Sequence, residues 1–192
     1  MRLRLRLVTQ GVTLVEMLIG LAIISCLLLV GMPSFSNWIQ DLQVRGAAES
    51  VQSALLLARS EAIRRNRPVR LQLNDAGGLV EWEVGCVIVA TDCPASIAQR
   101  SRNEGGRNAR MAAGPLLNAA SLGSPLAVGS GLPASLAFDG LGAVIGTAPG
   151  RIEISHAALG STRRLVLMIG SGGLIRLCNP ALARDASPQG CA

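Results

Sequence analysis

Apolar and polar positions alternate along this chain in three distinct ways. From Leu14 to Met32 the apolar residues run almost unbroken, and the one carboxylate among them is Glu16. Nineteen helical residues at about 1.5 Å each reach roughly 28 Å, close to the thickness of a bilayer's hydrocarbon core. The run predicts a membrane-spanning helix with one acid. A carboxylate at membrane depth costs on the order of 2.5 to 3.5 kcal/mol, so Glu16 demands a membrane edge or a counter-charge.

The second regime has helical periodicity. Pro33 has no backbone N–H and disfavours helical geometry in the residue before it, which predicts a kink near Gly31 to Pro33. Beyond it, Phe35, Trp38, Ile39, Leu42, Ala47, Val51, Ala54, Leu55, Ala58, Ala62 and Ile63 recur at helical spacing, with polar residues largely on other faces. They predict an amphipathic stem over residues 34–66 whose apolar stripe packs on a sheet. Asp41 with Arg45, and Glu61 with Arg65, stand at the four-residue spacing that favours ion pairs. Asn66-Arg67-Pro68 then ends the helix.

The third regime is short and period-two. Val69–Leu73 and Leu79–Val84 read as strands flanking the turn Asn74-Asp75-Ala76-Gly77-Gly78. From Thr91 to about Gly131 periodicity fades among Arg, Gly, Asn and Ser, and the reading is a long loop with short strands at most. Order returns at Ser135–Phe138, Arg151–Ser155, Arg163–Ile169 and Leu174–Cys178, between Gly-rich turns. The fold class is therefore α+β, a long N-terminal helix on an antiparallel head of six or seven strands, residues 67–192 forming the head.

Charge changes the picture at the N-terminus. Arg2, Arg4 and Arg6 form a positive flank that holds the preceding segment on the cytoplasmic side, and Gly11 interrupts the chain just before the apolar run. Cleavage after Gly11 would create an ammonium at Val12 able to meet Glu16 of a neighbouring helix, so that two groups costly alone in lipid become tolerable together. Loss of residues 1–11 would lower the formal charge from +6 to +3, leaving a mildly basic protein. All 18 basic residues are arginine. With no tyrosine, two tryptophans and two phenylalanines, no interleaved base-stacking platform is evident.

The five cysteines divide by position. Cys26 lies in the apolar run as a small apolar residue, while Cys86 with Cys93 and Cys178 with Cys191 form two local pairs beyond an export anchor. Two local disulfides are the economical pairing. A zinc site would need closer pairs and would usually recruit histidine, and His156 is the single histidine, so no metal is expected.

Gly11 followed by Val-Thr-Leu-Val-Glu-Met resembles the class III signal sequence of type IV pilins and type II secretion pseudopilins. In that family a prepilin peptidase cuts after the glycine and methylates the new N-terminus. The resemblance implies cleavage between Gly11 and Val12, N-methylation at Val12, an assembly role for Glu16 in setting subunit register, and Pro33 as the helix-kinking proline. Val12 stands where the family usually carries phenylalanine. The stem's Ala-Arg-Ser-Glu-Ala-Ile-Arg-Arg-Asn, the Trp82–Asp92 segment, Leu136–Gly142 and Gly172–Cys178 resemble the GspH/FimT group. That group implies partners among other pilins or pseudopilins, the prepilin peptidase/methyltransferase and an inner-membrane assembly platform, with the head in the periplasm of a Gram-negative cell.

The same group implies an alternative partner, DNA, through arginines in a Gly-Arg-x-Arg motif. Here the segment reads Gly173-Leu174-Ile175-Arg176, keeping the second arginine, and Arg163, Arg164, Arg176 and Arg184 are the candidate phosphate contacts. No nucleophile, base and orienter assemble around His156, and Gly170-Ser171-Gly172-Gly173 lacks the Lys-Ser/Thr of a phosphate loop, so neither catalysis nor a cofactor is expected. An ordinary secretory signal, a plain single-span anchor and a non-polymerising anchored binding module are the competing readings of the N-terminal third.

Overall fold

The computed structural model describes residues 11–104, 107–157 and 163–191. The chain divides into two compact units, Met1–Ile39 and Gln40–Ala192. One helix, α1 (Leu14–Arg65), contributes to both, and its helical assignment runs through Pro33 without interruption.

In the first unit, α1 begins on a cap. Thr13 precedes the helix and its Oγ1 accepts from the Glu16 backbone N–H at 3.2 Å, the Thr-x-x-Glu spacing of a capping box. Past that turn, Leu14–Leu29 expose large aliphatic side chains on every face, and Ser25 turns its hydroxyl back onto the Leu21 carbonyl at 2.8 Å. Among the described residues no helix is long and apolar enough to cross a membrane. The sequence's apolar run continues to Met32, and the side chains at 30–34 lie outside the described ones. Phe35 and Trp38 are exposed and touch each other, ring centroids 5.8 Å apart.

Among the described residues the buried core lies in the second unit, from Val44 to Cys191. Its part of α1 buries Val44, Ala47, Ala48, Val51, Ala54, Leu55, Ala58 and Ala62, recurring every three or four residues on one face. Five of the eight are alanines, apolar enough to be buried though small. Leu42 and Ile63, expected in this stripe, are exposed because they fall on other faces. The helix stops in a Schellman arrangement. Asn66 adopts φ 49°, its N–H donates to Ile63 O and that of Arg67 to Ala62 O, before Pro68 prevents continuation.

Two antiparallel sheets pack with this helical face into one hydrophobic cluster. The first runs in the order β3 (Ala98–Arg100), β2 (Trp82–Cys86), β1 (Val69–Leu73), β5 (Ala134–Phe138), β6 (Val144–Ile145). The second runs β4 (Ala109–Gly114), β7 (Arg151–His156), β8 (Leu165–Ile169), β9 (Ile175–Cys178). β1 is the centre of the first sheet, pairing Leu71 with Val84 on one side and with Leu136 on the other. Its buried positions alternate strictly, which is why its bounds were legible from sequence.

The head thus carries nine described strands in two sheets, not six or seven. β2 begins at Trp82 rather than Leu79, placing the Trp82 indole N–H 3.0 Å from Ser50 Oγ on the stem. The stretch expected to be a long loop holds β3, β4 and the 3₁₀ turn Ala119–Leu122. β4 is an interior-facing strand with Ala109 and Met111 fully buried, and alanines supply too little hydrophobic contrast to announce it. Both cysteine pairs are bonded, Cys86 to Cys93 and Cys178 to Cys191.

Ion pairs on the stem follow tertiary context. Glu61 binds Arg65 as expected, but Asp41 pairs with Arg163 at 3.3 Å and Arg45 turns instead to Glu49 at 2.9 Å. Arg163, brought in just before β8, occupies the acid that Arg45 would otherwise meet. At the other end, the hydrogen bond from Arg64, joined by that from Arg65, holds the Glu61 carboxyl below its usual range.

Two outcomes follow for the head. Leu55→Ala should lower its unfolding free energy in urea by about 2–5 kcal/mol, while Leu56→Ala, next in sequence but exposed, should change it by less than about 0.5 kcal/mol. Because the folded Glu61 pKa is depressed, its stabilisation is present above the unfolded carboxylate value and lost as pH falls through the folded one. Acid titration of Glu61→Gln should therefore show a shallower loss of stability than the parent, by under about 1 kcal/mol.

Candidate assembly site

Gly11, Val12 and Thr13 precede α1 in non-helical backbone, and nothing packs within 4 Å of where a Gly11 Cβ would stand. Val12 is 67% exposed. The Gly11–Val12 bond therefore lies in an accessible segment ahead of the helix. Residues 1–10, including the three leader arginines, lie outside the described residues. Glu16 sits in the first turn, where its carboxylate complements the positive end of the helix dipole. That local role had a sequence signal that was passed over, the spacing of Thr13 to Glu16. Pro33 lies inside α1, and its side chain is outside the described ones.

The four candidate phosphate-binding arginines do not form one cluster. Arg163 is bound to Asp41, and Arg164 donates to Glu153 at 3.0 Å and to Leu122 O at 2.5 Å. Arg176 donates to Gly190 O at 2.5 Å and Pro188 O at 3.4 Å, under the tail that Cys178–Cys191 ties down. Arg184 is exposed in that tail. Arg176 pairs across the sheet with Met168, four residues from Arg164, which places the two about 14 Å apart along the strands.

What sequence reading missed is the network around Glu153. This carboxylate, 3% exposed on β7, accepts from Arg151 and Arg164 at 3.0 Å each and from the Leu126 N–H at 2.9 Å. Arg151 also reaches Ser121 O at 2.5 Å, so one buried acid and two arginines pin the Ala119–Leu126 segment onto the second sheet. Isolated Arg and Glu residues in strands gave no hint that they were buried together.

His156 ends β7 and is buried. No group of three or more metal-ligating side chains occurs among the described residues. A cleft between the stem and β8–β9, lined by Arg45, Glu49, Arg163, Leu165, Leu177 and Gln189, encloses about 170 Å³, below the range of roughly 300–1,000 Å³ usual for small-molecule sites.

A family model described as "Type II transport protein GspH" matches residues 47–173, well over half of the chain. The chain belongs to the GspH family. The match begins on the packed face of the stem and ends in the β8–β9 turn of this GspH-family head. Among solved structures, the minor pseudopilin EpsH of the Vibrio cholerae Type 2 Secretion System is 14% identical, covering 73% of this chain and 99% of its own, with a TM-score of 0.50. The type IV minor pilin FimU of Pseudomonas aeruginosa PAO1 is 21% identical over 78% of this chain and 95% of its own, with a TM-score of 0.47. The EpsH likeness is one of fold. Comparison with curated proteins returned no match. The type IV pilin-like α+β class expected from the sequence is therefore the class of this protein, and its family is one of pilin-like subunits, not of enzymes.

The Glu153 network yields a test independent of family. Glu153→Ala would leave Arg151 and Arg164 buried without a counter-charge, and should cost about 3–5 kcal/mol in denaturant unfolding. Arg163→Ala, breaking a half-exposed pair, should cost less than about 1 kcal/mol.

Proposed function

We propose that this GspH-family chain is a structural subunit of a type II secretion pseudopilus or type IV pilus. It is cut after Gly11, N-methylated at Val12, held in the inner membrane by its first helix and assembled with other pilins or pseudopilins. The observation that carries this reading is the N-terminal helix itself. Its aliphatic side chains from Leu14 to Leu29 face outward all round, with one acid in the first turn behind an accessible Gly11–Val12 bond. A helix apolar on every face needs lipid or other helices around it. In such surroundings Glu16 is stabilised by the Val12 ammonium of a neighbour, which fixes the stagger between subunits. Pro33 supplies a bend between the membrane part and the stem. Thr13 and Glu16 also satisfy the helix terminus locally, so Glu16 acts twice, within its own turn and across to the next copy.

DNA binding through Arg163, Arg164, Arg176 and Arg184 receives less support, since the first three are committed to Asp41, Glu153 and tail carbonyls. A non-polymerising membrane-anchored module shares the apolar helix but makes no use of cleavage at Gly11.

Intact-mass analysis of membrane-extracted protein should show a chain beginning at methylated Val12. Glu16→Leu should leave membrane insertion intact and lower the amount recovered in sheared fibres several-fold. A chain still beginning at Met1, or normal fibre incorporation of the variant, removes the mechanism.

A further inference from the structure

The part of α1 just beyond Pro33 is built differently from the helix before it. From Leu14 to Leu29 aliphatic side chains are exposed on every face. At residues 35–40 the apolarity becomes one-sided. At helical spacing Phe35, Trp38 and Ile39 fall within about 100° of one another around the axis, while Ser36 and Gln40 take the adjoining arc. Phe35 is 60% and Trp38 58% exposed, and their ring centroids stand 5.8 Å apart. Two large rings held against each other and outside the buried core leave much apolar area in water.

Length decides what they face. From Met17 to Gln40 the chain carries no Asp, Glu, Lys, Arg or His, so the nearest charges on either side are Glu16 and Asp41. Glu16 and Trp38 are separated along the helix by roughly 33 Å, at 1.5 Å of rise per residue. A bilayer's hydrocarbon core is about 30 Å thick. A helix placed with Glu16 at one boundary therefore carries the Phe35–Trp38 pair to the other. Tryptophan suits that level for a physical reason. Its ring gains by leaving water, its indole N–H loses every partner deep in lipid, and at the headgroups both demands are met. Among the described residues nothing accepts from the Trp38 indole N–H, whereas the indole of Trp82 donates to Ser50 Oγ.

We propose that the Phe35–Trp38 pair is an interfacial anchor, which seats the helix at headgroup level on the side of the membrane opposite Glu16 and so sets the depth at which the unassembled chain is held. The partner is a lipid surface. This anchoring deepens the fibre-subunit reading and rests on its membrane step. It keeps Glu16 at a boundary, where water reaches the acid without help from another subunit. The Val12 ammonium of a neighbour becomes necessary when the helix leaves the bilayer for the fibre.

The test uses the full chain in phosphatidylcholine–phosphatidylglycerol vesicles. Tryptophan emission is compared in vesicles whose lipids carry bromine either close to the headgroup or close to the chain ends. Trp38→Phe, which leaves Trp82 as the only indole, is the blank. The part of the emission that Trp38→Phe removes should be quenched about twofold more by the shallow bromines than by the deep ones. A nitroxide on Cys26, the cysteine outside both disulfides and close to midway between Glu16 and Trp38, reads the depth of the helix. Its ratio of oxygen to nickel-chelate collisions should be high in the parent and fall about twofold in the double variant Phe35→Leu, Trp38→Leu, which keeps the apolarity and removes the anchor. Equal or stronger quenching by the deep bromines overturns the anchor, as does a Cys26 depth that ignores the double substitution. Absence of quenching by either overturns it too, and is the result if a protein neighbour covers the rings. Flotation of the same samples separates the two readings: chain that floats with the vesicles without shallow quenching removes the anchor alone, and chain that does not float removes the membrane step of the fibre-subunit reading.

Discussion

The head depends on one helical face that two sheets share. Ala47, Ala48, Ala54, Ala58 and Ala62 project little from α1, and Val44, Val51 and Leu55 fill the spaces between them. Both sheets reach this surface, so Leu71 and Phe138 of the first share a cluster with Met111, Ile154 and Leu167 of the second. Burying that shared face removes apolar area from water, which is where interior packing gains its energy. Larger side chains at the buried alanine positions would overpack the core that both sheets share.

Charge is handled by consumption. The head is rich in arginine, yet many of its guanidiniums bind acids or backbone carbonyls within the chain. Glu153 is the extreme case: a carboxylate this buried is tolerable because two arginines and a backbone N–H satisfy it at once. The same economy draws Arg163 to Asp41 and ties Arg176 to the tail. It turns residues that look like a phosphate-binding set into fasteners for the stem, a loop and the C-terminal strap. Arg59 departs from this pattern, with a carbonyl in place of an acid.

At the N-terminus the balance is reversed. The described helix from Leu14 to Leu29 has no protein covering it, and its single acid is placed where the helix dipole is most favourable to it. A carboxylate there stabilises the first turn in any surroundings. The additional demand comes only when lipid or neighbouring helices exclude water, and the requirement for a counter-charge then becomes a requirement for a partner.

Much of this was legible in the linear sequence, for definable reasons. The long helix announces itself through continuous apolarity and then a three- and four-residue period, β1 through strict alternation, and the cysteine pairs through short separation, all local signals. The Gly11–Glu16 motif and the family resemblance are local as well. Tertiary structure decided what depends on distant residues: β4 as a buried strand, because alanine is apolar enough to bury but too small to stand out; Asp41 with Arg163 instead of Arg45, because a residue 122 positions away competes for the acid; and the Glu153 network, because a charge is recognisable as buried only once its surroundings exist. Spacing along a chain fixes which neighbours one element can offer itself, and the choice between them and remote partners is made only in the folded packing.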